Sequence, residues 1–115
     1  MEHFKSLTTL EERKIHTSNA MKKYNGRIPV YVYKHNKSHL GDVPKHKFLV
    51  PTDITVGQFI YIIRKQMSLT SEQGIFIFID NLLPPTSALM SQMYKDHCDE
   101  DGFLYIAVSH ENVFG

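Results

Sequence analysis

Apolar residues change spacing several times along this chain, and each change marks an element. Thr9 and Glu12 form a T-x-x-E capping box, in which each side chain satisfies the other residue's backbone N–H. The good helix formers that follow run until Asn25-Gly26 supplies a stop, predicting a helix over 10–24. Leu10, Ile15, Ala20, Met21 and Tyr24 make only a thin apolar stripe, so this helix should lie on the surface of a core. RIPVYVYKH then alternates, with Ile28, Val30 and Val32 on one side and Pro29, Tyr31 and Tyr33 on the other. A strand apolar on both faces needs cover on both. Pro29 lacks an N–H, which places the strand at a sheet edge or at a strand start, where a ligand can complete it.

NKSHLGDVPKH is polar and without period, a loop leading to a second short strand, KFLVP, and a hairpin-like pair. Thr55 and Gln58 make another capping box, ahead of Val56, Phe59, Ile60, Ile63 and Met67 at helical spacing. IFIFI at 75–79 is a continuous apolar run of β formers, as expected of a central strand. LPPT excludes helix up to Pro85. Thr86 or Ser87 then caps a helix carrying Leu89, Met90, Met93 and Tyr94, which stops near DEDG. FLYIAVS is the last strand. Two strands, helix, strand, helix, strand is the order of an α+β, ubiquitin-like β-grasp, here with residues 1–25 as an N-terminal helical extension. Residues 26–115 form the ubiquitin-like domain, with a flexible tail at 110–115.

At 115 residues and 42% apolar, the chain suits one compact domain, and no run is long and apolar enough to span a bilayer. The start, MEHFKSLTTLEERK, lacks the apolar stretch of a secretory signal, so the cytosol is expected and the Asn36-Lys37-Ser38 sequon should stay unmodified. The lone Cys98 has no internal partner, and Asp96, Asp99 and Glu100 beside it disfavour a reactive thiolate. A net charge of +1 conceals an asymmetry: residues 1–50 carry ten Lys or Arg against four acids, and residues 51–115 carry three against eight. Without interleaved aromatics the basic half does not look like a nucleic-acid binder, and acidic peptides or anionic lipid suit it better. His35 and His39 lack metal-ligand spacing, and no nucleophile–base pattern is present, so neither metal nor catalysis is expected.

KFLVP, DITVGQFIYIIRK, IFIFI, LPPTSALMSQMY, DGFLYIAVS and ENVFG fall in the order and spacing of a known family. The chain resembles the ubiquitin-like autophagy modifiers, the family of GABA-A-receptor-associated protein and microtubule-associated-protein light chain. The resemblance implies conjugation of Gly115 to phosphatidylethanolamine. On that resemblance the glycine would be activated as an adenylate, carried as a thioester on activating and conjugating enzymes, and passed to the lipid amine. A residue without Cβ leaves that carbonyl open to attack. Phe114 would be read by the processing cysteine protease and the conjugation enzymes. The lipid is a covalent attachment and no cofactor is implied. The protein would be cytoplasmic, moving to autophagosomal membranes on lipidation, where two acyl chains hold it.

The resemblance also implies docking of cargo receptors through short aromatic-x-x-aliphatic motifs added to a strand edge. By position, an aromatic pocket would comprise His16, Ala20, Pro29, Tyr31, Lys47, Leu49 and Phe103. An aliphatic pocket would comprise Phe48, Val50, Pro51, Ile54, Phe59 and Ile62, with Arg27 and Arg64 attracting acidic flanks. Three positions depart from the family pattern. His16 stands where an acid is usual, removing an acceptor for a ligand indole N–H, and Ala20 and Tyr31 stand where aliphatic residues are usual. A volume-conserving exchange is expected, in which Ala20 makes room for Tyr31. Two other readings remain: a ubiquitin-like docking adaptor that is never conjugated, and a modifier coupled to a protein lysine.

Overall fold

The computed structural model describes residues 1–38 and 42–110. His39 and the tail residues Phe114 and Gly115 lie outside them. In chain order the elements are α1 (Glu2–Leu7), α2 (Leu10–Lys23), β1 (Arg27–Lys34), β2 (Lys47–Pro51), α3 (Val56–Gln66), β3 (Phe76–Phe78), α4 (Met90–His97) and β4 (Leu104–Ser109). Both capping boxes form, at Thr9/Glu12 and at Thr55/Gln58. Gly26 follows α2 at φ +81°, a turn that glycine adopts without a Cβ clash. α4 starts differently from expectation. Its first turn follows Leu89, and neither Thr86 nor Ser87 caps it; instead the Met90 N–H donates to the Ile54 carbonyl, tying the helix start to the loop before α3.

The four strands lie in the order β2-β1-β4-β3. β1 runs antiparallel to β2 and parallel to β4, and β3 runs antiparallel to β4. Two expectations change. β1 is interior, so of the two places open to Pro29 the sheet edge falls and the strand start holds, and the edge beside β1 belongs to β2. Pro29 is tolerated because the Val32 N–H bonds to the His46 carbonyl, which fixes the even-numbered residues of β1 as the partners of β2. The missing N–H of Pro29 therefore turns toward β4, one residue before the ladder begins at Val30↔Leu104. IFIFI in turn contributes an edge strand, and FLYIAVS the interior one, buried at all its positions.

Each face of the sheet has its own core. Ile28, Val30 and Val32 of β1 join Leu104, Ile106 and Val108 of β4 beneath Val56, Phe59 and Ile63 of α3 and Met90 and Met93 of α4. On the other face Tyr31, Phe103 and Tyr105 form an aromatic cluster, with Phe4 packed against it. The two-sided β1 of the sequence is thus covered on both sides.

α2 is held to this second face by polar groups. Its only buried residues are Arg13 and Thr17, while Ile15 is 57% exposed. The Arg13 Nε donates to the Asp101 carboxylate at 2.8 Å, and that carboxylate also accepts the Tyr105 hydroxyl and the Phe103 N–H. The Thr17 hydroxyl donates to the Asp101 carbonyl at 2.7 Å. Burial and the bond to Asp101 raise the Tyr105 phenol pKa, so the proton stays in the network. Gly102, at φ +92°, lets α2 come close: a Cβ there would sit 2.4 Å from the Thr17 hydroxyl.

Candidate functional site

Where α2 crosses the free edge of the sheet it leaves a cavity of about 580 Å³. The helix contributes His16, Asn19, Ala20 and Lys23 at three- and four-residue spacing, one face of a helix. β1 contributes Pro29, and Phe103, in the turn before β4, forms part of the wall. The edge strand contributes Lys47, Phe48 and Leu49 in succession, because the cavity follows the edge rather than one face. Lys45 and Tyr24 complete the lining, which includes no acidic residue.

Register sets what this edge offers. Lys47, Leu49 and Pro51 occupy the positions of β2 that do not bond to β1, so their backbone groups turn outward. Pro51 has no N–H to offer, and the Leu49 carbonyl accepts from the Arg27 guanidinium at 3.1 Å. The Leu49 N–H and both backbone groups of Lys47 face the edge, the complement that an extended peptide needs.

The cavity is basic and its histidine is neutral. Burial, and then the Lys47 charge, hold the His16 pKa below the ordinary imidazole value. The ring stacks on Phe103 at 5.9 Å and 23°. A neutral imidazole offers one acceptor nitrogen where an acid would offer two carboxylate oxygens. Lys45 Nζ stands 4.8 Å over the Phe48 ring, fixing one cation at the mouth.

Six of the seven residues assigned to an aromatic pocket line this cavity; Tyr31 does not. It lies between rings, stacked on Phe4 at 4.3 Å and 12° and on His46 at 5.3 Å and 9°. Tyr31 is accommodated by these flat partners, and the proposed exchange with Ala20 has no geometric basis, since Ala20 faces the cavity.

The residues assigned to an aliphatic pocket separate by depth. Phe59 and Val50 are core, 0% and 3% exposed. Phe48 is buried, edge-on to Phe59 at 5.5 Å, and borders the aromatic cavity. Pro51 and Ile54 are half-buried, and Ile62 is exposed. The two arginines are already engaged, Arg27 as above and Arg64 with the Thr70 and Gln73 carbonyls. The cations at the cavity itself are Lys23, Lys45 and Lys47. Sequence reasoning missed Asn19, Lys23, Tyr24 and Lys45, although the first two follow from His16 by helical spacing.

A family model described as "Autophagy protein Atg8 ubiquitin like" matches residues 12–115. A protein named Autophagy-related protein 8 from Cochliobolus heterostrophus is 54% identical over 112 residues, covering 97% of this chain and 94% of that one. Autophagy-related protein 8e of Arabidopsis thaliana is also 54% identical over 112 residues, covering 97% and 92%. The solved structure of Trypanosoma brucei ATG8 superposes with a TM-score of 0.88 at 36% identity, covering 92% of this chain and 91% of that one. Plasmodium falciparum Atg8, solved in complex with a Plasmodium falciparum Atg3 peptide, superposes at 0.86 with 35% identity, covering 95% and 96%. A mixed sheet between two helical layers, an extension locked by Asp101 and a match over nearly all of the sequence lead to one assignment: this chain belongs to the Atg8 family of ubiquitin-like autophagy proteins.

Proposed function

We propose that this protein is a lipid-conjugated modifier of autophagosomal membranes whose groove docks short extended peptides with an aromatic residue and, three positions on, an aliphatic one. The observation that carries the docking half is the cavity lying directly against the free β2 edge. A peptide pairing with that edge carries alternate side chains to one side, so a ring enters the cavity while the backbone bonds to Lys47 and Leu49. Burying a ring of about 200 Å² at about 25 cal/mol per Å² yields about 5 kcal/mol before ordering costs. With a second apolar contact, a Kd on the order of micromolar follows. Lys23, Lys45 and Lys47 favour acidic flanking residues, as a groove without carboxylates should. One partner class is the conjugating enzyme, a reading supported by the Atg3 peptide in the Plasmodium complex. Activating enzyme, processing protease and cargo receptors complete the proposed set.

The conjugation half rests on family membership and on Gly115 with Phe114 before it. No helix among the described residues is long and apolar enough to cross a membrane. In this reading two acyl chains on the conjugated lipid hold the protein at the membrane. The deciding experiment is intact-mass analysis after incubation with ATP, the matching activating and conjugating enzymes and phosphatidylethanolamine liposomes. A gain of one phospholipid, lost in Gly115→Ala, is the expected result. A gain of a whole protein would mean a lysine acceptor, and no gain despite a charged enzyme thioester would mean an unconjugated docking adaptor.

A further inference from the structure

The groove has a neighbour walled by an aromatic ring. Beside the main cavity lies a smaller one of about 180 Å³, and the two share His16, Lys47 and Phe103 as a common wall. Phe4 of α1 closes the far side. Its ring lies flat on Tyr31 at 4.3 Å, meets Phe103 edge-on at 5.7 Å, and has Lys47 Nζ above it at 5.2 Å. A flat ring below, an edge beside and a cation above suit a π system, and they discriminate against an aliphatic side chain.

What holds Phe4 there is slight. α1 has six residues, none of them buried, and no side-chain cap at its start. Leu7 is 70% exposed and Met1 37%, so Phe4 is the apolar group by which the helix grips the sheet. The remaining ties include a partly exposed ion pair, Lys5 to Asp99 at 2.8 Å, and the Arg13 guanidinium bonding to the Thr8 carbonyl at the helix end. A ligand ring entering the cradle would recover the contacts that Phe4 gives up.

We infer that the Tyr31–Phe103–Lys47 cradle is a second aromatic subsite, occupied by Phe4 until a bound peptide supplies a second ring of its own. The inference extends the docking reading above: the partner is an acidic peptide with two aromatic residues, one for the open cavity and one that displaces α1. Lys47 belongs to both subsites and favours acidic residues between the two rings. Peptides with one ring leave α1 in place.

The test uses the full chain, wild type and Phe4→Ala, a change outside the buried core. Acidic peptides with one phenylalanine and a leucine three positions later are compared with versions carrying a second phenylalanine through spacers of increasing length. On Phe4→Ala the best-spaced second ring should lower Kd roughly tenfold, and on wild type less. NMR should show the amides of Glu2–Leu7 leaving their docked positions in wild type only with the two-ring peptide. No gain at any spacing on Phe4→Ala overturns the subsite, as does a wild-type gain with those amides unmoved. If no peptide binds either protein, the docking reading falls and the two-ring partner with it. Free indole tests the cradle independently: it should shift the Tyr31 ring signals in Phe4→Ala and not in wild type, since Tyr31 does not line the open cavity, and unshifted Tyr31 signals in Phe4→Ala would overturn the cradle as a ring site.

Discussion

α1 and α2 cover the same face of the sheet and are attached by different physics. α2 is fixed by a buried carboxylate that binds Arg13, Tyr105 and a backbone N–H, while α1 rests on one half-buried ring and part-buried polar ties. A buried, fully partnered charge has no cheap alternative state, because separating the partners strands a charge away from water. A single ring on an exposed helix has one, since another ring can replace it. The groove accordingly has one immovable wall, and its neighbouring cradle has a removable occupant.

The comparison can be broken most severely at Asp101. Arg13→Ala leaves that carboxylate buried without its cation and should destabilise the fold by about 3 kcal/mol or more, read by urea unfolding. Peptide docking should weaken in the same variant, since α2 supplies a groove wall. Gly102→Ala adds a Cβ against Thr17 at a positive φ and should cost about 2 kcal/mol, loosening α2 without removing a charge. A Gly102→Ala protein as stable as wild type would mean that α2 is not seated as tightly as the close approach requires. Phe4→Ala should cost only about 1 kcal/mol and leave the global unfolding cooperative, while hydrogen exchange over Glu2–Leu7 becomes fast. Global destabilisation as large as that of Arg13→Ala would erase the distinction between the two helices.

The smallest effect is electrostatic. The His16 pKa is depressed in the folded state, so the unfolded chain binds more protons between that value and about 6.5. His16 therefore lowers stability as pH falls through this window. Docking of an acidic peptide should move the other way, tightening by about twofold once the ring is charged beside Lys47. Comparing the pH dependence of Kd between wild type and His16→Gln isolates this contribution.

Much of the fold was legible because it is written locally. Two capping boxes, the helical spacing of Val56, Phe59 and Ile63, and the two-sided alternation of β1 each concern neighbours in the chain. Strand order is not local. A proline in β1 pointed to an edge or a strand start and an unbroken apolar run in β3 to a centre; the strand order kept the strand start and reversed the centre, since a missing N–H can fall where no partner begins and burial on two faces can be supplied at an edge. α1 left no signal because it is one and a half turns long without a capping side chain. At the site, residues on one helix face or one strand were recoverable. Tyr31 went astray because its partners, Phe4 and His46, come from two other segments. The buried pair of Arg13 and Asp101 was invisible for a related reason: each looked like one more charge in a solvated run, and 88 residues separate them.

The free β2 edge bears on solubility as well as on docking. Amyloid-like stacking needs a long, flat edge that presents the same hydrogen-bond row to each incoming copy. Here the row is five residues long, begins at an exposed lysine, has its middle carbonyl covered by the Arg27 guanidinium, and ends at a proline. Such an edge can accept one short visiting strand and offers little for sheet growth, so the protein can remain dispersed at high concentration while its edge stays open.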